Sequence, residues 1–178
     1  MNLQREHFKI LKKQNGIYNL EFTLKNDKLL IHKIINFDLI KLIYELNNDI
    51  YETIDFQYIN ENEIIILTVM KNLFQDLGLP QRYSYLKITK EIINDNTTFN
   101  ATVILDKPNK INISENIIQM PFKHIKIETN IIDNHTAFFN IEIFLNNENI
   151  PQFIETVVIN LWKKIFNRLK QFIENMNI

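Results

Sequence analysis

The sequence predicts an α+β domain in which an antiparallel sheet wraps around one long C-terminal helix. Three observations carry this. From Ile50 onward, apolar residues recur at every second position in runs separated by short polar turns, the pattern of half-buried strands joined as hairpins. After Pro151 the spacing changes to steps of three and four and holds to Met176. At 178 residues and 46% hydrophobic content, the chain is large enough to bury a core without covalent staples, and it has no cysteine to make any.

Taken in order, residues 1–15 mix Leu3, Phe8, Ile10 and Leu11 with many charges, and fit a short helix or an irregular arm equally well. Asn15-Gly16 signals a turn, after which Leu20, Phe22 and Leu24 alternate with Glu21 and Thr23 as in a strand. Asn26-Asp27 turns the chain, and the apolar run from Leu29 to Ile35 reads as the second strand of a hairpin. Asn36 is placed to cap a helix, because its side-chain oxygen can accept a free first-turn N–H. Leu39, Ile40, Ile43 and Leu46 share one face of that helix, and Asn47-Asn48 ends it.

Three further hairpins follow. Ile54, Phe56 and Tyr58 alternate before Asn60-Glu61-Asn62, and Ile64 to Met70 returns as a β-prone strand. Asn72 to Leu77 reads as a helical turn stopped at Gly78, with Pro80 soon after. Tyr83–Ile93 and Thr97–Leu105 flank Asn94-Asp95-Asn96, and Lys123–Ile132 pairs with Thr136–Leu145. Residues 111–120 suit an edge strand or a helical turn.

The last segment carries the strongest period. Ile154, Val158, Leu161, Ile165, Leu169, Phe172 and Met176 form a stripe, which Trp162, Phe166 and Ile173 extend sideways. Each large side chain gains roughly 1.5–3 kcal/mol on burial, so so broad a face calls for a broad partner such as a sheet. Residues 1–178 read as a single domain, with 1–25 an arm and hairpin strand added to the core. The runner-up architecture is an open two-layer sandwich with helices 37–47 and 151–176 side by side on one sheet face.

The order from Leu29 onward is a strand, a helix, about six antiparallel strands and a long helix. It resembles the helix-grip fold of the START and Bet v 1-like superfamily, also called polyketide-cyclase-like. The stretch Leu30 to Leu46, through Asn36-Phe37-Asp38-Leu39-Ile40, looks like the family's opening strand and first helix. Thr136 to Glu174, with Pro151-Gln152-Phe153 and Leu169-Lys170-Gln171-Phe172-Ile173-Glu174, looks like its tail. The arm and hairpin before Leu29 are extra, and the aromatic-glycine signatures of the family's first loops are absent, Gly16 and Gly78 being the only glycines.

That resemblance implies about seven antiparallel strands gripping the final helix around a cavity. Members bind lipids, sterols, polyketides or other apolar molecules; some are enzymes, and many only carry or sense a ligand. The expected function is therefore non-catalytic binding of an apolar small molecule or lipid between sheet and helix. Tyr83, Tyr85, Phe139, Ile143, Leu161 and Ile165 are the candidate lining residues, as large side chains expected to face inward. The alternative is a structural or protein-interaction module that keeps the fold without a ligand, as a homo-oligomer, since long Ile-rich strands leave edges that pair readily.

Other chemistries find little support. Without cysteine there is no disulfide scaffold, thiolate metal site or thiol nucleophile. Two isolated glycines cannot build a phosphate cradle. His7, His32, His124 and His135 fall in no metal-ligand spacing, although His124 and His135 flank one hairpin. Ser84 and Ser114 sit in no nucleophile elbow, and Glu61 and Glu63 read as solvated turn residues. No catalytic residue, metal or cofactor is expected. Lys163, Lys164, Arg168 and Lys170 cluster on the final helix, but the net charge of −1 gives no general pull toward nucleic acid. A polar start and the lack of a membrane-length apolar run point to a cytoplasmic protein. The richness in Ile, Asn and Lys looks like the imprint of an AT-rich genome, as in large DNA viruses, some parasites and some protists, the host cytoplasm being the viral case. Sequons at Asn96, Asn112 and Asn134 are by-products of that asparagine content.

Overall fold

The computed structural model describes residues 8–13, 16–109, 113–146 and 151–177. The readings of residues 1–7, of Asn15 and of the sequon at Asn112 lie outside the described residues.

Strand alternation dictates the sheet. Its strands are β1 (Lys9–Lys12), β2 (Ile17–Lys25), β3 (Tyr51–Asn60), β4 (Glu63–Met70), β5 (Arg82–Ile93), β6 (Asn96–Val103), β7 (Ile118–Gln119), β8 (Phe122–Asp133) and β9 (Thr136–Leu145). They lie in the order β1-β2-β9-β8-β6-β5-β4-β3, and every pairing is antiparallel except that of the two-residue β7 with β5. The hairpins β3/β4, β5/β6 and β8/β9 are those that the turns predict. Asn94 and Asp95, at φ 48° and 66°, make the two-residue turn of β5/β6 in the left-handed region that Asn and Asp tolerate. Register lines up Ile64, Ile88, Ala101, Ile125, Ile143 and Tyr18 across six strands, all on the face that carries the helices.

That inner face is covered by α1 (Ile31–Ile34), α2 (Phe37–Glu45) and α3 (Gln152–Glu174). Asn36 caps α2, its side-chain oxygen accepting from the Asp38 N–H at 2.7 Å. Phe37, Leu39, Ile40 and Ile43 of α2 meet Trp162, Ile165, Phe166 and Leu169 of α3 in one core with β2 and β9. A 3₁₀ turn, Gln75–Leu77, ends at Gly78 with φ 69°, as its glycine signals.

Three expectations need correction. Leu29–Ile35 is no strand: Asn26 folds a turn by accepting from the Lys28 and Leu29 N–H groups, and α1 follows with Ile31 and Ile35 buried one turn apart. A short apolar run without a clear period leaves helix and strand undecided, and here the turn that Asn26 holds decides. The opening strand is instead β2, which lies between β1 and β9 as an integral member of the sheet rather than an addition. Only β1 is extra among the described residues. The sheet therefore has nine strands, seven long ones with the short β1 and β7, against the seven or so expected. Residues 113–120 are mostly loop, ending in β7, and Ile113 and Ile117 cover Leu67, Val69 and Tyr83 on the outer face of β4 and β5.

Candidate ligand cavity

Where α3 begins, helix and sheet stand apart. From Gln152 to Leu161 no residue of α3 is fully buried, whereas Trp162, Ile165, Phe166, Leu169 and Ile173 are. Between this first half of α3 and the inner face of β4, β5, β6, β8 and β9 lies a cavity of about 370 Å³. Its walls are largely apolar: Leu86, Ile125 and Ile143 from the sheet, Ile43 from α2, and Leu161 and Ile165 from α3. Lys71, Asn72, Leu73 and Pro151 line it while remaining exposed, so the opening lies between the loop after β4 and the start of α3.

A few polar groups reach the chamber. Arg82 and Ser84 face inward from β5, and Tyr44 and Tyr51 contribute rings whose centroids are 5.3 Å apart. Burial pushes the Tyr44 hydroxyl up to about 12 and raises that of Tyr51 further, so both are neutral hydrogen-bonding groups. Gln81 is held by donating to the Met70 carbonyl at 2.7 Å and to Glu52 at 2.6 Å.

Among the sequence candidates, Ile143, Leu161 and Ile165 come together around the cavity. Phe139 lies four residues along β9 from Ile143, packed in the core and stacked on Phe22 at 5.0 Å. Tyr83 and Tyr85 point the other way: they belong to the outer cluster under Ile113 and Ile117. Alternation correctly puts the two tyrosines on one face and Arg82 on the other, but the inward face is the one with Arg82, Ser84, Leu86 and Ile88. The signal was present in Leu86 and Ile88, whose parity marks the core, against Lys87 in phase with the tyrosines. Tyr44, inside α2, and Tyr51, at the start of β3, carry no signal of their own in the sequence, and only the fold brings them together.

The other constellations lie away from the chamber or are paired within the fold. His124, on β8 beside Phe144, and His135, in the β8/β9 turn, sit at opposite ends of that hairpin, and the His135 ring bonds the Leu29 carbonyl at 2.7 Å. Of the basic residues on α3, Lys164 and Arg168 pair with Asp49, and Lys170 with Glu174. Among the described residues no three His, Asp or Glu side chains group to hold a metal, and no helix is long and apolar enough to cross a membrane.

The arrangement of sheet, paired short helices and long terminal helix has close counterparts among solved structures. The lipid transfer and protein localization domain of human StarD13 (DLC2) aligns with a TM-score of 0.65 at 6% identity, over 96% of this chain and 91% of that one. This is the START/Bet v 1-like helix-grip fold. A STAR-related lipid transfer protein from Xanthomonas axonopodis aligns at 0.62 and 10% identity, over 93% of this chain and 98% of its own. Human STARD10 gives 0.61 at 6% identity, over 91% and 72%. No protein-family model and no curated protein matches the sequence. At such identities the likeness is one of fold, and a fold does not by itself assign a function.

Proposed function

We propose that this helix-grip protein binds an apolar small molecule or lipid without catalysis, in the chamber between its sheet and α3. The observation that carries the reading is the cavity of about 370 Å³ itself, which is largely apolar and lies where α3 stands off the sheet. Its size is within the range of small-molecule sites, and its few polar groups suit orientation of a ligand more than chemistry on it. Similarity to proteins named for lipid transfer supports the same reading.

The test is occupancy. Protein purified from cells and examined by native mass spectrometry should carry a small apolar adduct, or take one up from a mixed lipid extract. Leu161→Trp, which puts an indole into the chamber, should abolish that uptake while keeping the circular dichroism of the parent. Wild-type protein that neither carries nor takes up an adduct would end the proposal.

A further inference from the structure

One wall of the cavity is unlike the rest. Arg82 stands on the inner face at the start of β5, next to the opening, and is half-buried. Its one hydrogen bond to protein among the described residues is a long one, from Nη1 to the Gln119 carbonyl at 3.4 Å. The Glu52 carboxylate is engaged by Gln81, the residue before Arg82, from which it accepts at 2.6 Å. Desolvation lowers the pKa of Arg82 from its ordinary value, with no opposing contribution from an anion. It stays charged all the same. Ser84 faces the chamber one strand period further in, and its register partner Thr68 is buried with Oγ1 lacking any protein partner. Tyr51 pairs in register with Met70 at the loop end of β4, which brings its ring to the same side.

A guanidinium half-withdrawn from water with no anion is left incompletely paired, and its planar fork matches a carboxylate or phosphate in two parallel hydrogen bonds. The volume limits what such an anion can be attached to. At about 30 Å³ per water-sized group, 370 Å³ holds roughly a dozen non-hydrogen atoms. A two-chain phospholipid is several times larger.

We propose that the cavity selects a single-chain acidic amphiphile of about a dozen non-hydrogen atoms, its anionic head paired with Arg82 and its tail lying against Ile143, Leu161 and Ile165. This rests on the cavity reading above and adds to it a charge and a size. Ser84, Tyr44 and Tyr51 supply hydroxyls to the chamber, and Lys71 on the rim draws the anion toward the opening.

The experiment is titration calorimetry on the full chain with decanoate, decanol, decyl phosphate and vesicles of dioleoyl phosphatidylcholine. Wild type should bind decanoate or decyl phosphate about tenfold to a hundredfold more tightly than decanol, the range expected of a charge-assisted hydrogen-bond pair. Whichever anion binds better identifies the head as carboxylate or phosphate. Arg82→Met should bind decanol as before and lose the preference for either anion, while Arg82→Lys keeps part of it. Equal affinity for decanol and both anions in wild type overturns the proposal without recourse to any variant, as does a preference that survives in a folded Arg82→Met. Tighter binding of the vesicles than of every decyl compound overturns the size. In those cases the cavity reading stands, because decanol or phospholipid still binds. Failure of all four ligands to bind overturns this proposal and leaves the cavity reading to the adduct test above.

Discussion

Asn47 is fully buried at the point where α2 ends and α3 crosses it, and every polar atom of its side chain is used. Its amide donates to the Ile43 carbonyl at 2.7 Å and to the Ile165 carbonyl at 3.4 Å, and its oxygen accepts from Arg168 at 3.0 Å. Arg168 also grips Asp49 through both terminal nitrogens, and Lys164 reaches the same carboxylate at 3.0 Å. The hydrogen bond from Arg168, helped by Lys164, holds the Asp49 carboxyl well below the usual carboxylate range. A depressed carboxylate stabilises the fold above its unfolded value, near 3.9, and that contribution fades as pH falls toward the folded value. Asp49 is 46% exposed, so solvent screens the pair and Asp49→Asn should cost about 1 kcal/mol or less at neutral pH. Asn47→Ala removes buried hydrogen bonds and should cost more, about 1–3 kcal/mol. Urea unfolding of both variants at pH 7 and near pH 3 checks the order, and the gap between Asp49→Asn and wild type should narrow at the acid pH.

At the scale of elements, α3 is two half-helices with different support. Trp162 to Ile173 is packed against β2, β9 and α2, whereas the first ten residues border open volume. That first half is tied down at Glu155, which accepts from the Tyr18 hydroxyl and pairs with Lys12 at 2.5 Å, so β1 and β2 hold it from the side. Lys12 and Tyr18 keep Glu155 below its ordinary pKa, which means the tie is complete at neutral pH and weakens in acid. Hydrogen exchange should therefore run faster at backbone amides 156–161 than at 165–173, because fewer buried contacts lower the cost of local opening. Glu155→Gln should widen that difference and leave the second half unchanged; uniform protection along α3 would refute the division. The helix also shows how far sequence reaches. Its period identifies the residues that share a face, yet Phe172, in the expected stripe, is 42% exposed, while Trp162, Phe166 and Ile173, read as its flank, are core. A period gives neighbours; it does not give the direction in which the face points when one side of it borders a cavity. The same limit inverted β5, where Tyr83 and Tyr85 are covered on the outer face by Ile113 and Ile117, a contact set by a loop with no periodic signal. That Ile143, Leu161 and Ile165 face inward follows from β9 and α3, which alternate or repeat without interruption.

For the whole molecule, the three later hairpins were legible because each is closed by a local turn, while the pairing that completes the sheet joins β2 to β9, over a hundred residues apart, and leaves no mark in either strand. This is why residues 17–25 read as an appendage when they are central. Tyr18, Leu20, Phe22 and Leu24 of β2 are all at most 1% exposed. Burial of each is worth roughly 1.5–3 kcal/mol, and an ordinary domain has only about 5–15 kcal/mol of net stability to lose. β1 is different: it borders β2 on one side only, and of its four residues Lys9, Leu11 and Lys12 are exposed. Two deletions then separate the roles of arm and strand. Removing residues 1–12 should leave a cooperatively melting protein, destabilised by loss of the Lys12 pairing with Glu155 and more prone to self-association, because the backbone of β2 becomes an open edge. Removing residues 1–25 should leave a chain with no cooperative thermal transition. Circular dichroism melts with light scattering read both outcomes, and a folded, monomeric protein lacking residues 1–25 would mean that β9 can serve as the edge and that β2 is dispensable to the grip on α3.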